Sequence, residues 1–276
     1  MTERRSIFSR MDLSGKTAVV TGGSKGIGKN LATVLSEAGA TVLIAARNVD
    51  DMKSAADEIS AVTGNPVKHA QVDLTNRDSV MGFIAEAENV LGNVDILVAN
   101  ASYDLNQPIH NVQNDVMDST IEVNYVAAVL MTREFSKKMK ERGWGRVTYI
   151  SSATAFASAS DGHSVYAGTK AALHAFARTV AVELGGSGIN VNVIAAGTYF
   201  TENAEEHLNE YPPEVKEAAI GMWSKMNAVG RWGDPQDMEG ALLLLSSDAG
   251  AFITGAVFVV DGGLSIRLIP DYTGVQ

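Results

Sequence analysis

A doubly wound α/β domain built on a parallel sheet is the fold class this sequence predicts. Two observations carry that expectation. Strand-like apolar runs alternate with helix-period segments along nearly the whole chain, and the runs are mostly uninterrupted rather than alternating in polarity. A strand with one wet face alternates; a continuous apolar run needs helices over both faces. A length of 276 residues with 46% hydrophobic composition supplies one full core.

The elements follow in order. TAVVT (17–21) predicts the first strand, with a glycine turn and a helix near 26–38 after it. TVLIAA (41–46), a helix near 50–62, VKHAQV (67–72) and a helix near 77–91 come next. VDILVAN (94–100) leads into a long helical region near 113–141. RVTYIS (146–151) precedes a helix near 164–184, and INVNVIA (189–195) and AVFVV (256–260) are the last strands. No repeat or linker divides the chain. We expect an unstructured leader at 1–12, one Rossmann-like domain at 13–265 and a tail at 266–276. The segment 199–229 breaks the rhythm with two short helices around Pro212-Pro213. A long excursion after a strand end on the ligand side predicts a substrate lid, though a bracket over the core fits the same pattern.

Composition excludes several functions. A net charge of −10 disfavours nucleic acid or an anionic membrane as the main partner. The absence of cysteine excludes a disulfide framework, a thiolate metal site and a Cys nucleophile, and it fits a reducing, cytoplasmic setting. His110, His163 and His207 lack ligand spacing, so no catalytic metal is expected. No apolar run approaches the roughly 18 residues of a membrane span. The first residues lack an apolar signal core, and Glu3 and Asp12 do not suit a transit peptide.

TGGSKGIG (21–28) sits between a strand and a helix, where a dinucleotide turn belongs. Gly22 permits the tight turn, Gly26 lets backbone approach a pyrophosphate, and Gly28 lets helix and strand pack closely. Ser24, Lys25 and Ile27 complete the loop. The helix N-terminus then offers N–H groups to phosphate. At the end of the second strand, where NAD-binding chains carry an acid for the ribose, stand Arg47 and Asn48. A guanidinium there, with Lys25, predicts NADP through its 2′-phosphate. NAD is the lesser alternative, through Asp50 and Asp51, which also suit a helix start.

Tyr166 and Lys170 in YAGTK stand one helical turn apart and can share a face. Alone, such a pair is an ordinary surface feature. In company it is not: TGGSKGIG, VDLT (72–75), ANAS (99–102), Asn124, ISS (150–152), YAGTK and AAGTYFT (195–201) occur in the order found in short-chain dehydrogenases/reductases. The stretch 230–263 also resembles that family's C-terminal region, so the resemblance spans about 12 to 263. It implies an NAD(P)-dependent oxidoreductase acting on a carbonyl or alcohol, similar to NADP-dependent carbonyl or 3-ketoacyl reductases.

The resemblance also implies roles. Tyr166 would be the acid/base, its phenol made more acidic by the Lys170 cation, which would also hold the nicotinamide ribose. Ser152 would donate to the substrate oxygen, with Ser151 the competitor. Asn124 would hold a water relaying protons to Lys170. Asp73 and Leu74 would border adenine, Asn100 and Ala101 the ribose, and Gly197, Thr198 and Thr201 the carboxamide and pyrophosphate side. Two departures alter the pocket's shape: ANAS replaces the usual NNAG, and Ala196-Gly197 replaces Pro-Gly.

Candidate substrate residues are Ser102, Tyr103, Thr154, Phe156, His163, Tyr199, Phe200 and Met222. They suit a medium-sized ketone, a ring ketone or a sugar-derived ketone. The lid carries Glu202, Glu205, Glu206, Glu210, Glu214 and Glu217 against Lys216 and Lys225, which disfavours an anionic carrier. The alternatives are a 3-ketoacyl thioester reductase and a catalytically silent NADP-binding regulator. By the same resemblance a homotetramer or homodimer is expected, and the tyrosine helix, apolar on more than one face, is compatible with it.

Overall fold

The computed structural model describes residues 4–157 and 161–267. Seven parallel strands form one sheet: β1 (Thr17–Thr21), β2 (Thr41–Ala46), β3 (Lys68–Gln71), β4 (Ile96–Ala99), β5 (Gly145–Ser152), β6 (Ile189–Ala196) and β7 (Val257–Val260). Their order is β3-β2-β1-β4-β5-β6-β7. The winding reverses between β1 and β4, which opens a crevice at their carboxyl ends.

Ten α-helices surround the described sheet: α1 (Ile7–Met11), α2 (Gly26–Glu37), α3 (Val49–Thr63), α4 (Arg77–Leu91), α5 (Asn114–Ile121), α6 (Ala127–Arg142), α7 (Ser164–Gly185), α8 (Glu202–Leu208), α9 (Pro213–Met226) and α10 (Glu239–Ser246). Successive strand residues point to opposite faces, and both faces are covered. Val19 and Leu43 join Phe83 of α4, Phe135 of α6 and Leu173 of α7 in one core. Ala18, Val20 and Ile44 join Leu35 of α2, Met52 of α3 and Leu242 of α10 in the other. This is why β1, β2 and β4 are near-continuous apolar runs, while the edge strand β3 carries exposed polar residues.

Three local expectations need correction. The leader holds α1, capped by Ser6, whose Oγ accepts from Ser9 N at 3.0 Å, and Arg5 pairs with Asp248 at 3.0 Å. A side-chain cap and a tertiary ion pair order a segment too short for its pattern to predict. The fourth strand is shorter than 94–100, because the Asp95 carboxylate accepts from Thr17 N at 3.1 Å and pairs with Arg142 at 3.0 Å. The helical region at 113–141 is broken by a π-helical turn, Glu122–Val126, centred on Asn124. Such turns insert one residue and re-aim side chains, often at functional sites. The tail expected at 266–276 lies outside the described residues from 268 onward.

Two helices do form in the 199–229 segment. Pro213 opens α9, where its missing N–H and fixed φ suit the first turn. No residue of α9 is fully buried, so the segment lies on the body instead of inside it.

Candidate active site

The turn from β1 to α2 is held from β4. Asn100 Nδ2 donates to Thr21 O at 2.9 Å and Gly22 O at 3.3 Å, while Thr21 Oγ1 accepts from Asn100 N and Ala101 N at 3.1 Å each. A Cβ on Gly28 would lie 2.0 Å from Gly22 O, a contact no rearrangement of side chains relieves. Gly26 N donates to the Glu202 carboxylate at 2.6 Å. The exposed N–H group at the helix start therefore already seats an anionic oxygen, the chemistry a pyrophosphate needs.

That turn is one end of a cleft of about 530 Å³. Gly22, Ser24, Lys25, Gly26, Ile27 and Gly28 line it, followed by Arg47, Asn48, Asp73 and Leu74 from the strand ends beside it. Asn100, Ala101, Ser102, Tyr103, Ser152, Tyr166, Lys170, Gly197 and Thr201 line the remainder. Asn48 caps α3 by accepting from Asp50 N at 3.0 Å and Asp51 N at 3.2 Å, which accounts for both acids as first-turn residues. Asp51 also reaches the cleft wall. The Asp73 carboxylate is pulled below the ordinary range chiefly by the Thr75 hydroxyl and backbone N–H, with a smaller contribution from Arg47.

At the inner end, the hydroxyls of Ser152 and Ser102 stand beside Tyr166 and favour its ionised form. The serine ambiguity resolves on geometry. Ser151 is buried, its Oγ donating to Lys170 O at 3.0 Å and lying 2.8 Å from His174 Nε2. Alternation along β5 sends Ser152 to the other face, toward the tyrosine. Ser102, the departure from the family pattern, is a second hydroxyl on Tyr166, and its Oγ lies 3.3 Å from Asn124 Oδ1.

The surroundings of Tyr166 and Asn124 bear on two of the expected roles. Tyr166 is not made acidic in this state: crowding protein pushes it up to about 12, with Asp104 raising it further and the two serines opposing. Burial likewise holds Lys170 down to about 8, against the raising effect of Asp104, and its Nζ donates to Ile150 O at 3.0 Å. Desolvation of both groups outweighs their pairing. Asn124's side chain is filled by protein: Oδ1 accepts from Tyr103 N (2.8 Å) and Ser102, and Nδ2 donates to Tyr103 O (3.0 Å) and Thr169 Oγ1 (3.2 Å). An amide has four such positions, so this side chain has none left for a water and acts as a brace between the β4 loop and α7.

The substrate set divides. Ser102 and Tyr103 line the cleft; Thr154, Phe156, His163, Tyr199, Phe200 and Met222 do not, nor does Thr198. Tyr199 is buried, donates its hydroxyl to Val260 O at 2.8 Å and packs on Gly233, so it props β7. Phe200 turns edge-on to Trp232, and Phe156 packs on His174. Met222 is exposed on α9. The Thr198 carbonyl accepts from Gly233 N at 2.9 Å. Thr154 Oγ1 is buried without a hydrogen-bond partner. These residues are near the site in sequence, but strand alternation and helix rotation keep them out of the cleft lining, His163 standing edge-on beside Tyr166. Glu202, Thr21 and Asp104 were missed because each acts across a long chain separation.

Residues 22–265 match the profile of a family described as enoyl-(acyl carrier protein) reductase. The chain belongs to the short-chain dehydrogenase/reductase family. It is 34% identical over 260 residues to 2-dehydro-3-deoxy-D-gluconate 5-dehydrogenase of Pseudoalteromonas atlantica, covering 93% of this chain and 98% of that one. It is 30% identical over 252 residues to the 3-oxoacyl-[acyl-carrier-protein] reductase of Aquifex aeolicus, covering 91% and 98%. Among solved structures, a gluconate 5-dehydrogenase from Burkholderia cenocepacia in complex with NADP and tartrate superposes with a TM-score of 0.85 at 30% identity, covering 95% and 100%.

Proposed function

We propose that this chain is an NADP-dependent oxidoreductase interconverting a ketone and a secondary alcohol, with Tyr166 as acid/base. The observation that carries the reading is one cleft with a glycine-turn anion seat and Arg47 at one end and the Ser152–Tyr166 pair at the other. Gly26 N–H and its neighbours would hold the pyrophosphate, and Arg47 with Lys25 the 2′-phosphate. Bound there, the dinucleotide supplies or receives the hydride.

The remaining work belongs to the protein. Ser152 donates to the substrate oxygen and fixes it beside Tyr166. In reduction, Tyr166 delivers its proton to that oxygen as charge builds on it; in oxidation it takes the proton back. With burial pushing its pKa up to about 12, Tyr166 carries at neutral pH the proton that reduction requires. Lys170, charged below about pH 8, steadies the phenolate left behind. Ser102 adds a second hydroxyl beside Tyr166, and Asn124 fixes Ser102 and the Tyr103 backbone.

The test is a panel of ketones followed by NADPH absorbance. Tyr166→Phe is expected to lower kcat by about 100-fold or more, the usual contribution of a positioned acid/base. Full activity in that variant removes the mechanism. A second reading, 3-ketoacyl thioester reduction, is supported by the likeness to the Aquifex enzyme; faster turnover of acetoacetyl thioesters than of any free ketone would establish it. NADPH binding without turnover of any substrate would revive the silent regulator.

Two coarser inferences accompany the activity. A homotetramer or homodimer is supported by the open edge at β7 and by exposed Val182, Phe252 and Val259, and light scattering of the purified chain checks it. A cytoplasmic location is supported by the NADPH chemistry, and cell fractionation checks it. Among the described residues no helix is long and apolar enough to cross a membrane.

A further inference from the structure

The loop after β4 and the turn before α7 meet on one side of the catalytic hydroxyl. Gln107 N donates to Gly162 O at 3.1 Å, and the Asp104 carboxylate lies 3.5 Å from His163 Nε2. His163 sets its ring edge-on to that of Tyr166, 6.0 Å between centroids. Asp104 acts electrostatically on both Tyr166 and Lys170, which places its charge at the reacting end of the cleft. The Asp104 side chain keeps 41% of its surface exposed and His163 23%; the pair lies outside the cleft lining as a rim beside it, Asp104 following Tyr103 of that lining. Neither residue is used by the acid/base chemistry above.

An ionised carboxylate is an acceptor only, so it matches hydroxyl donors and opposes anions. A substrate with its carbonyl at Ser152 and Tyr166 brings its neighbouring carbons toward this rim. The described cleft lining offers three cations. Lys25 and Arg47 lie at the glycine-turn end, and Lys170 is buried with its Nζ on Ile150 O. No lining guanidinium stands at the reacting end to receive a substrate carboxylate or phosphate, whereas Asp104, on the rim beside Tyr103, is placed to repel one.

We propose that Asp104, braced by His163, is a specificity-determining residue that selects neutral polyhydroxylated ketones and alcohols over aldonates and other anionic substrates. The proposal rests on the reading of this chain as an NADP-dependent oxidoreductase. It gives the site a substrate class: a carbonyl flanked by hydroxyl-bearing carbons, with no acid group near the reacting centre.

The experiment compares kcat/KM for sorbitol and gluconate, which share a chain of hydroxyl-bearing carbons and differ by a terminal carboxylate, with cyclohexanone reduction run alongside. The full chain is expected to favour sorbitol by about 10-fold or more. Asp104→Asn should shrink that ratio by about 10-fold, chiefly through KM, with gluconate gaining. His163→Gln should move the ratio the same way by less, and NADPH fluorescence reports that each variant is folded. A ratio unchanged in Asp104→Asn, a wild-type preference for gluconate, or no turnover of sorbitol while cyclohexanone is reduced overturns the proposal alone. No turnover of any of the three overturns the oxidoreductase reading and this proposal with it.

Discussion

The two ends of the cleft are built by different means. At the glycine-turn end the surface is largely backbone: Gly22, Gly26 and Gly28, locked by Asn100 and Thr21 onto strands with fully buried residues. At the reacting end the surface is side chains: Ser102 and Tyr103 from the loop after β4, Ser152 from the end of β5 and Tyr166 from α7, with Asp104 and His163 on the rim beside them. A backbone cradle tolerates little, because an added atom meets other backbone. A side-chain rim can be rewritten residue by residue without disturbing the sheet. The contrast teaches why one cofactor end can serve relatives that act on different substrates.

The hardest blow to that comparison falls on the backbone end. Gly28→Ala places a Cβ 2.0 Å from Gly22 O. We expect loss of measurable NADPH binding and about 1–3 kcal/mol of destabilisation, read by fluorescence titration and thermal melting. A variant that binds normally would show the cradle to be as adaptable as the rim. Next in size, Arg47→Asp should cut the NADPH over NADH preference by about 100-fold, the value of a charge-assisted pair to a phosphate. An unchanged preference would remove Arg47 from the 2′-phosphate.

A smaller change sharpens the meeting point of the two ends. Glu202, from α8, keeps its carboxylate on Gly26 N, where an incoming phosphate must displace it. Glu202→Gln removes the charge and should tighten NADPH binding by about 2–5-fold, the scale of a charge at a helix N-terminus. Weaker binding would mean the carboxylate helps the cofactor instead of competing with it.

The smallest effect is a pH shift. Alcohol oxidation needs Tyr166 without its proton, so its rate rises with pH, and the Tyr166–Lys170 pair sets the apparent inflection. The Asp104 anion raises both groups, while His163, Lys170 and Tyr166 are the titratable groups facing it. Removing that anion in Asp104→Asn should lower the inflection by less than about one unit, seen in the pH profile of kcat/KM. A shift to higher pH would contradict the electrostatics.

The strand order of elements, the glycine turn and the Tyr166–Lys170 pair were legible residue by residue. Each is a pattern within a few positions: a buried apolar run, glycines at set offsets, two side chains one turn apart. Asn124 was visible as a member of the set, yet its role as a brace was not, because a π-helical turn redirects it. Ser151 and Ser152 are chemically identical in sequence, and only the direction of alternation along β5 separates them.

So the sequence by itself determined the α/β layering, the dinucleotide turn and the family, since short-range periodicity and backbone constraints do not depend on distant partners. Tertiary structure alone decided which serine meets Tyr166, that Asp104 and His163 share the rim, and that Glu202 caps Gly26 from 176 residues away. Those contacts arise from how the loops at the carboxyl edge converge, and burial there moves both reacting groups, Tyr166 up and Lys170 down.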